Sequence, residues 1–400
     1  MLSATAAAFL VGFPSPASAW ENDLGEVTLF ESGGLSQRTR TAVDTIGQVL
    51  GVQPTVMQSG TIRMRSVVRG DRAAQVFEDG FAVPMTFVAV DPATSLPLIG
   101  ETMGTALDHG VVMSSTTAEM RGALPGDVVI LEGWDGSVHQ VPIAAILPDE
   151  SLAWNELAFS DELAAAMGID RPARAVLWGV NTTVVELLAQ SVLGDAPIRV
   201  YGPGSERPPF QDWVLPMVQV KQRFGEFAFR ETGTDRIETD DDWYEANIVT
   251  VTHPLLGQFR CHREILPYVE GALAELSAKG LVDEIDASDF QAAGGCYNAR
   301  LARGGDLDRG FALSRHSWGI AIDFNPTTNG FGSEPSLSEA FGEVWRRWGF
   351  AWGAGWTVPD PMHFEWHADP VDPDRMTCVN RLAATRGGRE FGDVPAGCPS

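Results

Sequence analysis

The chain has 400 residues, 44% hydrophobic and 20% charged, with a net charge of -25 and a pI of about 4.5. That length is too great for one ordinary core and predicts two domains. The acidic balance argues against nucleic acid or anionic membrane as a partner held by bulk electrostatics, and with lysine only at Lys221 and Lys279 arginine carries the positive charge.

The chain opens MLSATAAAFLVGFPSPASAWEN. Ala6 to Phe13 is an apolar run, and Ala17 to Ala19 forms a small-x-small cleavage pattern, so residues 1–19 read as a secretory signal peptide, although the segment before the run carries no Lys or Arg. The run is too short to span a bilayer, and no other stretch is long and apolar enough to do so. The expected product is an exported protein without a membrane span.

Residues 20–200 read as a mixed α/β domain of unknown role. Thr61–Val68, Pro84–Val90 and Asp127–Trp134 alternate as strands, and Ser114–Leu124 reads as a short helix opening on Ser/Thr caps. A further helix starts at Ser160 and ends at Gly168. His109 and His139 stand apart from each other and from any motif, as packing or surface histidines do. Tyr201–Phe210 is rich in Gly and Pro, and residues 201–217 are expected to be a linker. Glu238–Asn247 reads as an acidic surface loop.

Residues 218–370 read as a second, α+β domain with helices packed on a small antiparallel sheet. Phe259–Gly280 is the clearest helix, with Ile265, Val269, Leu273 and Leu276 at helical spacing and Gly280 as a natural stop. His262 is placed on its face and, like His253, reads as structural. Ser336–Trp348 is a second helix with an aromatic stripe over Phe341, Val344, Trp345 and Trp348. The runs GIAIDF and MHFEW read as strands. Four cysteines, Cys261, Cys296, Cys378 and Cys398, suggest two disulfides in an exported chain. The favoured pairing is Cys261–Cys296 and Cys378–Cys398, the second closing a tail over residues 371–400.

Three of only seven histidines fall in two short stretches, SRHSWGIAID (Ser314–Asp323) and DPMHFEWH (Asp360–His367), each close to carboxylates. Gly319 and the β-branched Ile320 and Ile322 argue for a turn into a strand, which places His316 just before the strand and Asp323 at its far end. Two imidazoles and one carboxylate suit Zn2+ and leave a fourth position for water, whose proton a further carboxylate must accept.

Ser314-x-His316-x-x-Gly319-x-Ala321-x-Asp323 resembles, at every fixed position, the SxHxxGxAxD signature of the zinc D-alanyl-D-alanine carboxypeptidase family. Asp360-x-x-His363-Phe364-Glu365 resembles the DxxHFE box of its endolysin-like branch, and Gly294–Gly304 is similar to the segment preceding the zinc motif there. The resemblance spans about residues 218–366. It implies one Zn2+ per chain held by His316, Asp323 and His363, with Asp360 as general base. Arg300 or Arg303 would match the arginine that meets a substrate carboxylate or the developing oxyanion. Ser314, Tyr297 and Trp318 are candidate substrate-binding residues, each with a capping or packing alternative. His367 follows Glu365 by two positions, one short of the Glu-x-x-His spacing of the dipeptidase branch, so His363 is preferred as the ligand.

The implied activity is hydrolysis of peptide bonds in peptidoglycan stem peptides, of the D-alanyl-D-alanine carboxypeptidase or L-Ala-D-Glu endopeptidase type, by a secreted, cell-wall-associated enzyme. The alternative is a non-catalytic wall-binding or zinc-stabilised scaffold protein with the same fold. A serine D,D-peptidase is excluded because neither lysine completes SxxK, and HExxH is absent.

Overall fold

The computed structural model describes residues 24–31, 33–70, 72–76, 80–194, 196, 198–205, 214–233, 235–302, 312–356, 358–386 and 398. The expected signal peptide and Arg303 lie outside the described residues. The chain forms two compact units: the first holds most residues before 208, the second most residues from 208 onward together with a short segment ending at Pro84.

The first unit runs β1 (Leu24–Glu31), α1 (Gln37–Leu50), β2 (Thr55–Arg69), β3 (Arg72–Val76), β4 (Val83–Val90), α2 (Pro92–Leu107), β5 (Val111–Ser114), α3 (Ser115–Arg121), β6 (Val128–Glu132), β7 (Val138–Leu147), β8 (Leu157–Ser160), α4 (Asp161–Ala166), β9 (Pro172–Asn181), α5 (Thr182–Leu193) and β10 (Ile198–Tyr201). Helix starts follow the caps: Ser114 and Ser160 accept from the main-chain N–H of Thr117 and Leu163. The strands pair in the order β10-β1-β9-β2-β4-β8-β5-β7-β6, and β6 also pairs with β2, so six of them close into a ring. β2 makes this possible by changing partners along its length. Its residues 55–58 meet β9 and 63–68 meet β6. Gly60 lies between the two stretches, where an added Cβ would come 3.0 Å from Trp134. α1 and α5 cover β1 and β9 through Val43, Ile46, Val185 and Ala189 against Val27, Leu29, Ala175 and Leu177.

The second unit runs α6 (Met217–Phe224), β11 (Phe229–Glu231), β12 (Ile237–Thr239), α7 (Asp241–Asn247), β13 (Ile248–His253), β14 (Gly257–His262), α8 (Leu266–Ala278), α9 (Ala287–Ala292), β15 (Ala321–Asp323), α10 (Glu339–Arg347), β16 (Phe350–Trp352), β17 (His363–Trp366) and α11 (Pro373–Arg386). β15, β17 and β16 form a three-stranded antiparallel sheet with β17 in the middle. One continuous core joins α8 and α10 to this sheet through Val269, Leu273, Trp345, Phe324 and Phe364. Gly271 of α8 is required for close packing, since a Cβ there would meet the Trp348 ring at 2.2 Å. Glu275, one turn on and 1% exposed, accepts from Trp348 Nε1 at 2.9 Å and pairs with Arg347 at 2.9 Å and Arg375 at 3.1 Å. It thereby ties α8, α10 and α11 together. Lys221, also buried, pairs with Glu226 at 3.0 Å and donates to the Pro84 carbonyl.

Two expectations are corrected here. The helix expected over Phe259–Gly280 begins only at Leu266, because residues up to His262 belong to β14, paired with β13. Pro267 near the helix start marks the true N-terminus. Glu238–Asn247 is not a loop: it contains the end of β12 and then α7, whose N-cap Asp240 accepts from Trp243 N at 2.9 Å, with Asp241 and Asp242 in the first turn. Negative charge is favourable at that end of a helix. Both disulfides form as expected, Cys261–Cys296 and Cys378–Cys398.

Candidate metal centre

The site is built from one turn and two paired strands. Ser314 accepts from His316 N at 3.3 Å and starts a single 3-10 turn over residues 315–318, which Gly319 ends at φ 64°. Gly319 has two reasons to be glycine: the left-handed backbone, and a Cβ position 2.8 Å from His262 N. The Gly319 carbonyl accepts from that same N–H at 2.9 Å, anchoring the turn to β14. The chain then enters β15.

On β15 and β17, Asp323 stands opposite His363 and Ala321 opposite Glu365. Side chains alternate across a sheet, so these four share one face while Ile322 and Phe364 pack into the core on the other. Ala321 is small where Glu365 needs room to lean toward His363. The segment after α9 borders the same face: Gly295 and Asp323 exchange main-chain hydrogen bonds, and Asn298 N donates to the His316 carbonyl at 2.9 Å.

Three atoms converge as a result. His316 Nε2 lies 3.1 Å from Asp323 Oδ1, His363 Nδ1 lies 3.0 Å from the same oxygen, and the two ring nitrogens are 3.2 Å apart. All three residues are buried and could hold a metal ion. The far edge of each ring is already committed. His316 Nδ1 is 2.7 Å from the Cys296 carbonyl, which can only accept, so that nitrogen carries the proton. His363 Nε2 is 3.1 Å from Glu365 Oε2, which makes the same demand. In the neutral form of each ring, Nε2 of His316 and Nδ1 of His363 therefore turn lone pairs toward each other and toward a carboxylate. Such a set is stable only around a cation.

The electrostatics agree. Burial opposes ionisation of Asp323, but the two imidazoles hold its carboxyl far below the usual carboxylate range. Burial likewise pushes His363 down, yet hydrogen bonds and charge from Asp323 and Glu365 prevail and raise it to about 10. With no ion bound, a proton takes the cation's place.

The other expected residues separate into groups. Asp360 lies in the turn just before β17, half-buried; its N–H donates to the Gly353 carbonyl at 2.9 Å and its carbonyl accepts from His363 N at 3.0 Å. Arg300 pairs through its main chain with Ser314 and Ser317, and its guanidinium donates to the Leu301 carbonyl at 3.1 Å. Tyr297 OH is 3.1 Å from Thr239 Oγ1, and the Tyr244 ring and Arg260 pack against its ring. Ser314 serves as a cap. Trp318, expected as a possible cleft residue, is wholly buried, its indole N–H on the Gly225 carbonyl at 3.1 Å and its ring 4.4 Å from Phe227, so it is a core residue. His262 is also core, but at the end of β14 rather than on a helix, and burial pushes it down to about 4. His253 Nδ1 accepts from Leu255 N and Leu256 N in the turn after β13. His367 is not one of the converging groups. Residues whose part the sequence did not assign are Arg315, whose Nε is 3.8 Å from Glu365 Oε1, and Trp356, whose ring lies 5.3 Å from that of His363.

Residues 308–366 match the family model described as D-alanyl-D-alanine carboxypeptidase. The match contains both histidine boxes, and over this segment the resemblance to the zinc carboxypeptidase family is shown; it supports a peptidase. No curated protein matches the chain. Among solved structures, the extracellular domain of the noncanonic ABC-type transporter YknZ from Gram-positive bacteria is similar at 11% identity and a TM-score of 0.29, covering 44% of this chain and 100% of that one.

Proposed function

We propose that the protein is a secreted zinc peptidase that hydrolyses peptide bonds in peptidoglycan stem peptides, with His316, Asp323 and His363 as the zinc ligands. The observation that carries this reading is the convergence of two imidazole nitrogens and one carboxylate oxygen within 3.2 Å of one another. Ligands about 2.0–2.1 Å from a tetrahedral Zn2+ stand about 3.3–3.4 Å apart. The observed spacing is close to that.

Bound there, Zn2+ would supply an acidified water and polarisation of the scissile carbonyl. This chain's residues do the rest. The carboxylate of Asp360, three residues before His363, accepts the water's proton and returns it to the departing amine. The resemblance gives Arg300 or Arg303 the part of meeting a substrate carboxylate or the oxygen that becomes negative. Two disulfides support an exported destination, as they persist in oxidising compartments. Among the described residues no helix is long and apolar enough to cross a membrane.

Mass spectrometry of muropeptides incubated with the zinc-loaded protein tests the reading. Loss of a terminal D-alanine identifies a carboxypeptidase, and a cut within the stem an endopeptidase. Asp360→Asn should keep zinc and fold while lowering turnover by at least about 10²-fold. Intact muropeptides after incubation with zinc-replete wild type, together with measurable binding to them, would support the wall-binding alternative instead.

A further inference from the structure

The DxxHFE box ends on a second carboxylate whose work the ligand and base assignments leave open. Glu365 is 3% exposed, on the same face of β17 as His363. Its Oε2 lies 3.1 Å from His363 Nε2, the ring nitrogen on the opposite edge from Nδ1. Its Oε1 faces Arg315 Nε at 3.8 Å. Arg315 is itself held: Nη2 donates to the Leu215 carbonyl at 2.5 Å, and Nη1 lies 3.4 Å from Met217 Sδ, at the start of α6. A line of polar contacts thus runs from the start of α6 through Arg315 and Glu365 to the back of His363.

We infer that Glu365 and Arg315 are positioning residues for the metal centre: Glu365 fixes the His363 ring with Nε2–H outward and Nδ1 toward His316 and Asp323, and Arg315 holds Glu365 in place. This inference rests on the zinc assignment above. It also separates the two carboxylates of the box by task. A proton acceptor for water must present an oxygen to the space in front of Nδ1. Glu365 sits behind the ring, with one oxygen accepting from the imidazole and the other turned to a guanidinium. A carboxylate on the outer nitrogen of a metal-binding imidazole sets the tautomer and strengthens the ligand. The motif spacing reflects strand geometry, since only residue i+2 after His363 returns to its face, and Ala321 on β15 leaves the room.

The test measures zinc affinity by chelator competition, without substrate, for wild type, Glu365→Ala, Glu365→Gln and Arg315→Ala. Glu365→Ala should bind zinc about 10–100-fold more weakly, the usual effect of removing such a partner. Glu365→Gln, whose amide oxygen still accepts from Nε2–H, should lose less, and Arg315→Ala should fall between. Nitrogen-15 NMR of the loaded wild type should show His363 protonated at Nε2 and metal-bound at Nδ1. If Glu365→Ala does not fold, Glu365→Gln decides. A Glu365→Gln zinc affinity that falls measurably, by up to about tenfold, with turnover of the zinc-loaded protein largely kept supports positioning, and wild-type affinity with wild-type turnover overturns it. Unchanged affinity with turnover down about 10²-fold or more makes Glu365 the proton acceptor and overturns it. Metal bound at Nε2 would overturn it directly. Glu365-dependent zinc affinity in a protein that cuts no muropeptide would sink the peptidase reading and leave this inference standing.

Discussion

Gly319 offers a direct measure of how tightly the turn that carries His316 is held. Its φ is 64°, a conformation costing an L-residue about 1–2 kcal/mol. An added Cβ would also lie 2.8 Å from His262 N and 3.3 Å from the Cys261 carbonyl carbon, both main-chain atoms of β14 that cannot swing aside. Overpacking of that kind adds about 1–3 kcal/mol. Gly280, after α8, has nearly the same φ of 68° and nothing within 4 Å of the added Cβ. Gly280→Ala should therefore cost only the backbone term, about 1–2 kcal/mol, and Gly319→Ala about 2–5 kcal/mol in all. In a unit of this size each kcal/mol moves Tm by about 2–4 °C, so the two variants should separate clearly in calorimetry. Zinc affinity supplies the second readout. It should fall for Gly319→Ala, whose displaced turn moves His316, and stay at the wild-type value for Gly280→Ala. Equal Tm shifts, or a Gly319→Ala protein with wild-type zinc affinity, would refute the argument that β14 buttresses this turn.

Zinc affinity should rise with pH. His363, raised to about 10, holds a proton at neutral pH that the metal must expel, so affinity should increase about tenfold per unit from pH 7 toward 9 and level off near 10, as read by chelator competition. The same shift makes the proton on His363 stabilise the ion-free fold. That contribution is full below about 6.5 and lost as pH rises through about 10, so the Tm of metal-free protein should fall over this window. Replacing Cys261 and Cys296 together by serine should destabilise the unit by about 2–4 kcal/mol in denaturant titration. It should also weaken zinc binding, because the Cys296 carbonyl fixes the His316 tautomer. Glu275→Ala leaves the buried Trp348 Nε1–H without its acceptor, while Arg347 and Arg375 keep Glu343 and Asp372, so it should cost about 1–3 kcal/mol; no measurable change would show that the three helices hold without it.

Legibility in the sequence depends on how local each signal is. Caps and stops at Ser114, Ser160 and Gly280 are local, and they stand where a local reading puts them. The helix over Phe259–Gly280 reads too long because β14 is only six residues and α8 begins four positions after it ends, so the short alternation of Phe259 and Cys261 inward with Gln258 and Arg260 outward is absorbed into the helical pattern that follows. Glu238–Asn247 misleads for the opposite reason: its acidic residues read as solvation, whereas Asp240 to Asp242 are the cap and first turn of α7. The closing of strands around β2 is a set of long-range pairings with no local mark beyond Gly60.

Within the metal centre the same distinction explains why the motif is readable and its mechanics are not. Ser314, Gly319 and Ala321 are small residues with separate physical reasons: a cap, a left-handed stop pressed against β14, and a space opposite Glu365. The stop and the space each involve a partner far along the chain, so the string shows that these positions are constrained without showing by which contacts. His316 and Asp323 are brought together by the turn, whereas Asp323 and His363 are brought together only by the register of β15 on β17. A slip of one residue would turn Asp323, or His363 and Glu365 together, into the core and leave Ile322 or Phe364 at the metal. The dense packing of Phe364 against Trp352, Trp345 and Phe324 on the opposite face opposes that slip. The aromatic core of the second unit is thus what sets the register on which the three ligand atoms converge.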